Sequence, residues 1–180
     1  MLELIRNVLL AIGEDPTREG LKDTPKRVSK MIKEILGGYD TDINSLFTTF
    51  DGEGQDQVIC LKDIEFWSLC EHHMLPFHCV ANIAYLPDKK VIGVSKIARL
   101  VLAYGKRLQI QERITEQVAN TLMEKLKPKG VAVILEGQHL CMQMRGVKNS
   151  TSKMTTSIML GEFRDNSALR AEVLNMLGRK

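Results

Sequence analysis

The 180-residue sequence predicts an α+β fold: an antiparallel sheet with two helices on one face, preceded by N-terminal helices. Two observations predict it. Apolar residues recur at helical spacing as far as Leu36, and from Val58 the period drops to two. The strand-like segments are joined by hairpin-like turns such as Pro87-Asp88, which suit antiparallel pairing. The order reads helices, strands, two helices, strands, helix. Residues 1–50 form the expected N-terminal helical region, and residues 51–180 the expected sheet-bearing domain.

Leu2, Ile5, Leu9 and Ile12 mark an amphipathic helix over 2–12, ended by Gly13. Asp15-Pro16, a cap followed by a proline, starts a short helical turn. Thr24-Pro25 opens the next helix, with Val28, Ile32 and Ile35 on its apolar face and Gly37-Gly38 at its end. Residues 39–56 read as linker and turn. Strands follow at 58–66, 80–86 and 91–94. Ser95 caps a helix whose inner face is Ile97, Leu100, Val101 and Tyr104. A longer helix spans Gln111 to Leu126 on a stripe of Ile114, Val118, Leu122 and Leu126, stopped by Pro128 and Gly130. Strands at 131–136, 140–145 and 154–160, a polar loop at 149–153 and a closing helix at 165–177 complete the chain.

Composition narrows the function. The 44% hydrophobic and 26% charged content is the balance of a soluble globular protein. A net charge of +3 is too small to argue for nucleic acid. Trp67 is the sole tryptophan, which argues against base-stacking platforms. No apolar run approaches a membrane span, and the N-terminus shows no signal-peptide pattern. The expectation is a cytoplasmic protein whose four cysteines are thiols rather than a disulfide framework.

Two short segments concentrate the reactive side chains. In Ser68-Leu69-Cys70-Glu71-His72-His73, Cys70 and His73 stand three apart, so one helical turn brings both to a single ion. His72 then points elsewhere and stays free for proton transfer. Two ligands do not hold zinc, so a partner must lie elsewhere. Gln138 to Arg145 supplies the candidate. Read as a strand, it places His139, Cys141, Gln143 and Arg145 on one face and Leu140, Met142 and Met144 on the other. Three ligands with a spare histidine on each segment suit a catalytic zinc site, whose fourth position is left for water. Elsewhere, Lys96 and Arg99 lie in the first turns of a helix, where cations make most sense beside a bound anion. Glu112 at its helix start is explained by the dipole alone, and Arg27 reads as a surface charge.

These residues resemble the GTP cyclohydrolase I family. The likeness runs from Gly13-Glu14-Asp15-Pro16 and Thr24-Pro25-Lys26-Arg27 through nearly the whole chain. Its most specific parts are Ser68 to His73, Gly93 to Arg99, Gln109 to Arg113, His139-Leu140-Cys141 and Met144-Arg145-Gly146. The resemblance implies a tunnel-forming fold (T-fold), in which antiparallel sheets of several subunits join into barrels. It implies a decamer of two stacked five-membered rings with active sites between subunits. It implies zinc (Zn2+) held by Cys70, His73 and Cys141, with His72 and His139 as catalytic histidines and Ser95 as the ribose-side proton donor. GTP is the implied substrate. Glu112, beside Gln111, would anchor the guanine, and Arg27, Lys96, Arg99 and Arg145 would hold the triphosphate. The implied reaction opens the guanine imidazole ring, releases formate and yields 7,8-dihydroneopterin triphosphate, with no redox cofactor.

The chain departs from the family pattern after Pro76-Phe77. The family commonly has a glycine and then a lysine where Cys79-Val80 stand here, preceded by His78. This affects the expected loop geometry, with His78 a loop histidine and Cys79 a buried thiol. Two rival readings remain. A nitrile reductase of related fold would use a cysteine nucleophile and a nicotinamide, but both Cys70-x-x-His73 and His139-x-Cys141 favour zinc. A structural zinc protein would have four protein ligands and no purpose for two spare histidines.

Overall fold

A computed structural model describes residues 1–178. Its contacts separate the chain into two units, Met1–Gly37 and a larger one that begins at Gly38.

The first unit holds helices α1 (Leu2–Ala11) and α2 (Thr24–Ile35). The short helix expected at Asp15-Pro16 is absent, and that stretch is a run of turns. Asp15 explains it. Its carboxylate accepts hydrogen bonds from the Thr17 backbone N–H at 2.8 Å and the Thr17 hydroxyl at 2.6 Å. This local turn competes with helix for the same backbone groups. Pro25 sits in the first turn of α2, where its missing N–H costs nothing.

The second unit contains, in order, β1 (Thr49–Asp51), β2 (Ile59–Cys70), β3 (Pro76–Leu86), β4 (Lys90–Ile92), α3 (Val94–Gly105), β5 (Leu108–Gln109), α4 (Gln111–Leu126), β6 (Gly130–His139), α5 (Leu140–Gln143), β7 (Met154–Gly161), α6 (Glu162–Asp165) and α7 (Ser167–Met176). Residues 39–56, expected as a linker, carry two 3₁₀ turns and β1, which pairs antiparallel with β4. Strands of three residues are too short to show a period of two.

The main sheet has the order β5-β2-β3-β6-β7. Every pairing is antiparallel except the two-residue contact of β5 with β2. The period-two pattern therefore gives the architecture correctly but underestimates the strands. β2 runs on to Cys70, and β3 starts as early as Pro76. His78 and Cys79 are thus strand residues, not loop residues, and Cys79 is fully buried.

One face of the sheet packs on α3 and α4. Phe77, Cys79, Ala81 and Ile83 of β3 meet Leu100, Val101, Ile114, Val118 and Leu122, all buried. The α4 stripe is the one the spacing predicts, and the helix stops at Lys127, in a left-handed conformation just before Pro128. Ser95 does not cap α3. Gly93 holds the cap position, and Ser95 is the second residue inside the helix, exposed. The closing helix is two pieces, α6 and α7. They are divided at Asn166, whose side chain accepts from the N–H groups of Ala168 and Leu169. Phe163 and Val173 from these pieces cover Ala84, Ala132 and Ile134 on the opposite sheet face. Helices therefore lie on both faces at that end of the sheet. Near the β2–β3 turn the opposite face carries Trp67, 58% exposed and packed on the His78 ring at 4.8 Å.

Leu122 joins α4 to the sheet with no solvent contact. Leu122→Ala should lower stability by about 2–5 kcal/mol through lost transfer energy and a residual cavity. Urea unfolding checks this as a lower midpoint with an unchanged slope.

Candidate metal centre and active site

The site forms where two strands end on either side of β3. β2 and β6 both run opposite to β3, so both finish next to its beginning. In register, Ser68 faces Phe77, and Phe77 faces His139. Beyond these pairs the chain turns sharply on each side. After β2 the N–H groups of His73 and Met74 return to the Cys70 carbonyl at 3.3 and 2.7 Å, and Met74 takes φ +52° to leave the turn. Cys70 and His73 thereby share the face that their spacing predicts.

After β6 the structure differs from the sequence expectation. Residues 140–145 are not a strand. Leu140–Gln143 is one helical turn, and the Met144 N–H bonds to the Leu140 carbonyl at 3.0 Å. The alternation of polar and apolar residues that suggested a strand over-reads a stretch too short to separate the two periods. The turn nonetheless brings Cys141 to Cys70 and His73, and the three donor atoms lie within 4.8 Å of one another.

The donor set fits a metal ion. Two thiols and an imidazole suit zinc, whose bonds of about 2.3 Å to sulfur and about 2.0–2.1 Å to nitrogen put tetrahedral neighbours about 3.5 Å apart. Cys70 Sγ lies 3.7 Å from His73 Nδ1. Burial and the adjoining Cys70 thiol push the Cys141 thiol up, so a cation that takes both sulfurs must displace protons. His72 does not point wholly away, since its Nδ1 is 3.8 Å from Cys70 Sγ, but its side chain stays 65% exposed.

Arg145 Nη1 stands 3.2 Å from His73 Nε2. Arginine only donates, so this contact uses a lone pair on Nε2. A metal bound through Nδ1 leaves the proton on Nε2, and donor would then face donor. Ligation through Nδ1 and the Arg145 contact therefore exclude each other.

His139 sits over the helix-packed face. Its ring stacks on Phe77 with centroids 4.5 Å apart and planes 10° from parallel. Nε2 lies 3.0 Å from Gln111 Oε1. Burial pushes its pKa below the usual histidine value, with Glu112 opposing. Glu112 is exposed in the first turn of α4. Gln111, expected among the substrate contacts, is fully buried and its amide is engaged within the sheet. Ser95, Lys96 and Arg99 lie in the first turns of α3, and no hydrogen bond or ion pair among the described residues links them to the cysteine–histidine cluster. Arg27, in the first unit, donates to the Gly20 carbonyl at 3.0 Å and the Thr24 hydroxyl at 2.9 Å.

Sequence reasoning missed Glu71 and Arg113. Both Glu71 carboxylate oxygens accept from the Arg113 guanidinium, and this pairing holds the Glu71 pKa below the usual carboxylate range. The Glu71 N–H also bonds to the Gln109 carbonyl at 3.0 Å. The turn that carries Cys70, His72 and His73 is thus tied to α4 and β5. A partnership 42 residues apart leaves no local signal in a sequence.

A donor set of this kind, gathered from the ends of two strands that flank β3, could hold a metal ion with three protein ligands, the number common in catalytic sites. The sequence matches the GTP cyclohydrolase I family over residues 1–178. It is 49% identical to GTP cyclohydrolase 1 of Caldanaerobacter subterraneus subsp. tengcongensis over 98% of this chain and 94% of that one. It is 50% identical to the Methylococcus capsulatus enzyme of the same name over 100% and 98%, and 48% identical to that of Coxiella burnetii over 96% and 95%. The chain belongs to the GTP cyclohydrolase I family. A solved structure of an archaeosine synthase QueF-Like superposes with a TM-score of 0.49 at 14% identity, over 58% of this chain and 93% of its own. That likeness is too slight to weigh beside the family match.

Arg113→Met keeps the apolar stem and removes the clamp on Glu71. The turn that carries Cys70 and His73 then loses its tie to α4, and metal affinity should fall by up to about the 10–100-fold typical when the support around a ligand is lost. Competition with a chromophoric chelator measures it, and Lys30→Met, on α2, should change nothing.

Proposed function

We propose that this chain is a zinc-dependent hydrolase that opens the guanine imidazole ring of GTP, releases formate and yields 7,8-dihydroneopterin triphosphate. The observation that carries the proposal is the Cys70–His73–Cys141 cluster beside His139 in a member of this family. Zinc bound there would supply Lewis acidity that makes water a usable nucleophile at neutral pH.

The chain's own residues divide the remaining work. Guanine C8 is a poor electrophile until N7 is protonated, and His139 is the proton donor to N7. It donates in its protonated form, and burial, which disfavours the charged imidazolium, loosens its hold on that proton. His72, exposed beside Cys70, assists in proton transfer. Glu112 accepts hydrogen bonds from the guanine edge, where the start of α4 favours a carboxylate. Arg27, Lys96, Arg99 and Arg145 read the triphosphate. Lys96 and Arg99 do so at a helix start whose free N–H groups also attract anions. Ser95 serves the ribose as proton donor when the sugar ring opens and rearranges.

The working form is a decamer of two five-membered rings in the cytoplasm, with sites completed between subunits. β5 and β7 leave the sheet with two outer edges, and Trp67 stands exposed on a bare part of its surface. Unpaired edges and exposed aromatics are the surfaces that a second copy of the chain covers.

Formate release from GTP by the zinc-loaded protein tests the reading. One formate per GTP consumed is expected, and GTP left intact by fully zinc-loaded protein overturns it. His139→Ala should keep its zinc and its GTP binding while turnover falls by roughly 10²–10⁴-fold, the range for general acid–base groups. Loss of zinc in proportion to activity would make His139 a ligand instead.

A further inference from the structure

We propose that Gln111 is a positioning residue for His139: its amide oxygen holds the imidazole with the hydrogen on Nε2 and the lone pair on Nδ1, and the Cys79 thiol steadies the same amide oxygen. This rests on the reading of His139 as a proton-moving group.

The orientation of the Gln111 amide follows from its neighbours. Its nitrogen end faces the Leu135 and Met154 carbonyls at 3.1 Å each and the Thr156 hydroxyl at 3.2 Å. Carbonyl oxygens only accept, so the NH₂ group must lie there. The flipped amide would set three acceptors together in a site with no solvent access, which costs the full penalty of unmade hydrogen bonds. Oε1 therefore points the other way, toward His139 Nε2 at 3.0 Å and Cys79 Sγ at 3.6 Å. A carbonyl oxygen cannot donate, so Nε2 must carry a hydrogen. Neutral imidazole has one N–H, which leaves the lone pair on Nδ1. Nδ1 has no hydrogen-bond partner among the described residues.

Cys79 completes the arrangement. Burial pushes its thiol up to about 12, so the S–H persists across the working pH range and gives Oε1 a second donor. Room for the group comes from Gly137, which faces Cys79 across the β3–β6 pair. A Cβ at position 137 would collide with Gln111 Oε1 and meet Cys79 Sγ at 2.5 Å. Cys79 stands where the family resemblance leads one to expect glycine, so this second donor is a feature of this chain. Stacking on Phe77 fixes the plane of the His139 ring, and the hydrogen bond fixes its direction within that plane. With both N–H groups and both lone pairs engaged, the Gln111 side chain has nothing left for a substrate.

The test is the tautomer of His139 in zinc-loaded protein labelled with ¹⁵N-histidine, read from long-range ¹H–¹⁵N correlations and assigned by comparison with His139→Ala. Neutral His139 should show a pyrrole-type Nε2 and a pyridine-type Nδ1. A proton on Nδ1 in the unaltered protein overturns the proposal, whatever any variant does. Gln111→Met, close in size but without an acceptor, should mix the two tautomers. It should lower kcat for formate release about 10–100-fold and leave zinc content and KM for GTP nearly unchanged. Cys79→Ser, which keeps a donor, should retain the native tautomer. A Gln111→Met protein with native tautomer and kcat but raised KM makes Gln111 a substrate reader and overturns the proposal. One with mixed tautomers and native kcat supports the positioning geometry and refutes the proton-moving role of His139.

Discussion

Strand β3 lies between β2 and β6 and runs opposite to both, and the rest of the site depends on that placement. Antiparallel neighbours on either side of one strand must end at the same edge. That edge is where Cys70 closes β2 and His139 closes β6. Segments about 70 residues apart in sequence thus come close together with one strand between them, about 10 Å apart, or two inter-strand spacings. Each segment then needs only one tight turn to aim its ligands at a shared point. The sheet core under α3 and α4 fixes the register, because a slip of one residue would move every buried side chain of β3 to the other face.

The same register sets the environment of the reactive groups. Phe77 faces His139 and Cys79 faces Gly137 on the face that α4 covers. The missing side chain at Gly137 opens a slot in an otherwise filled layer, and the first residue of α4 enters it. One helix start therefore presents two adjacent residues to opposite purposes. Gln111 points into the sheet, and Glu112 stays exposed toward solvent. Arg113, one residue further, reaches the turn that carries Cys70 and His73. The sequence Gln111-Glu112-Arg113 thus binds helix, sheet and ligand turn together, which is how a site acquires rigidity from elements rather than loops.

Much of this was legible in the sequence. The α4 stripe of Ile114, Val118, Leu122 and Leu126 needs no tertiary information, because helical periodicity over 16 residues is a strong signal. Cys70 and His73 were readable because their spacing matches one turn of chain. The alternation of residues 138–145 puts Cys141 on a strand, where the structure has a single helical turn. Cys141 still lies beside Cys70 and His73, because either a strand or a single helical turn can carry it near the end of β6. Ser95 suits a helix cap by residue type, but Gly93 holds that position and the helix begins at Val94. β1 itself, the Glu71–Arg113 pair and the burial of the Gln111 amide depend on partners distant in sequence, and no local pattern encodes them.

The central claim is that two strand ends deliver two thiolates and one imidazole to a single ion. X-ray absorption at the zinc edge of the zinc-loaded protein measures it directly, because sulfur and nitrogen or oxygen scatter at distinguishable distances. The account predicts two sulfur neighbours at about 2.3 Å and two lighter neighbours at about 2.0–2.1 Å. A shell with fewer than two sulfurs, or with four, would contradict it.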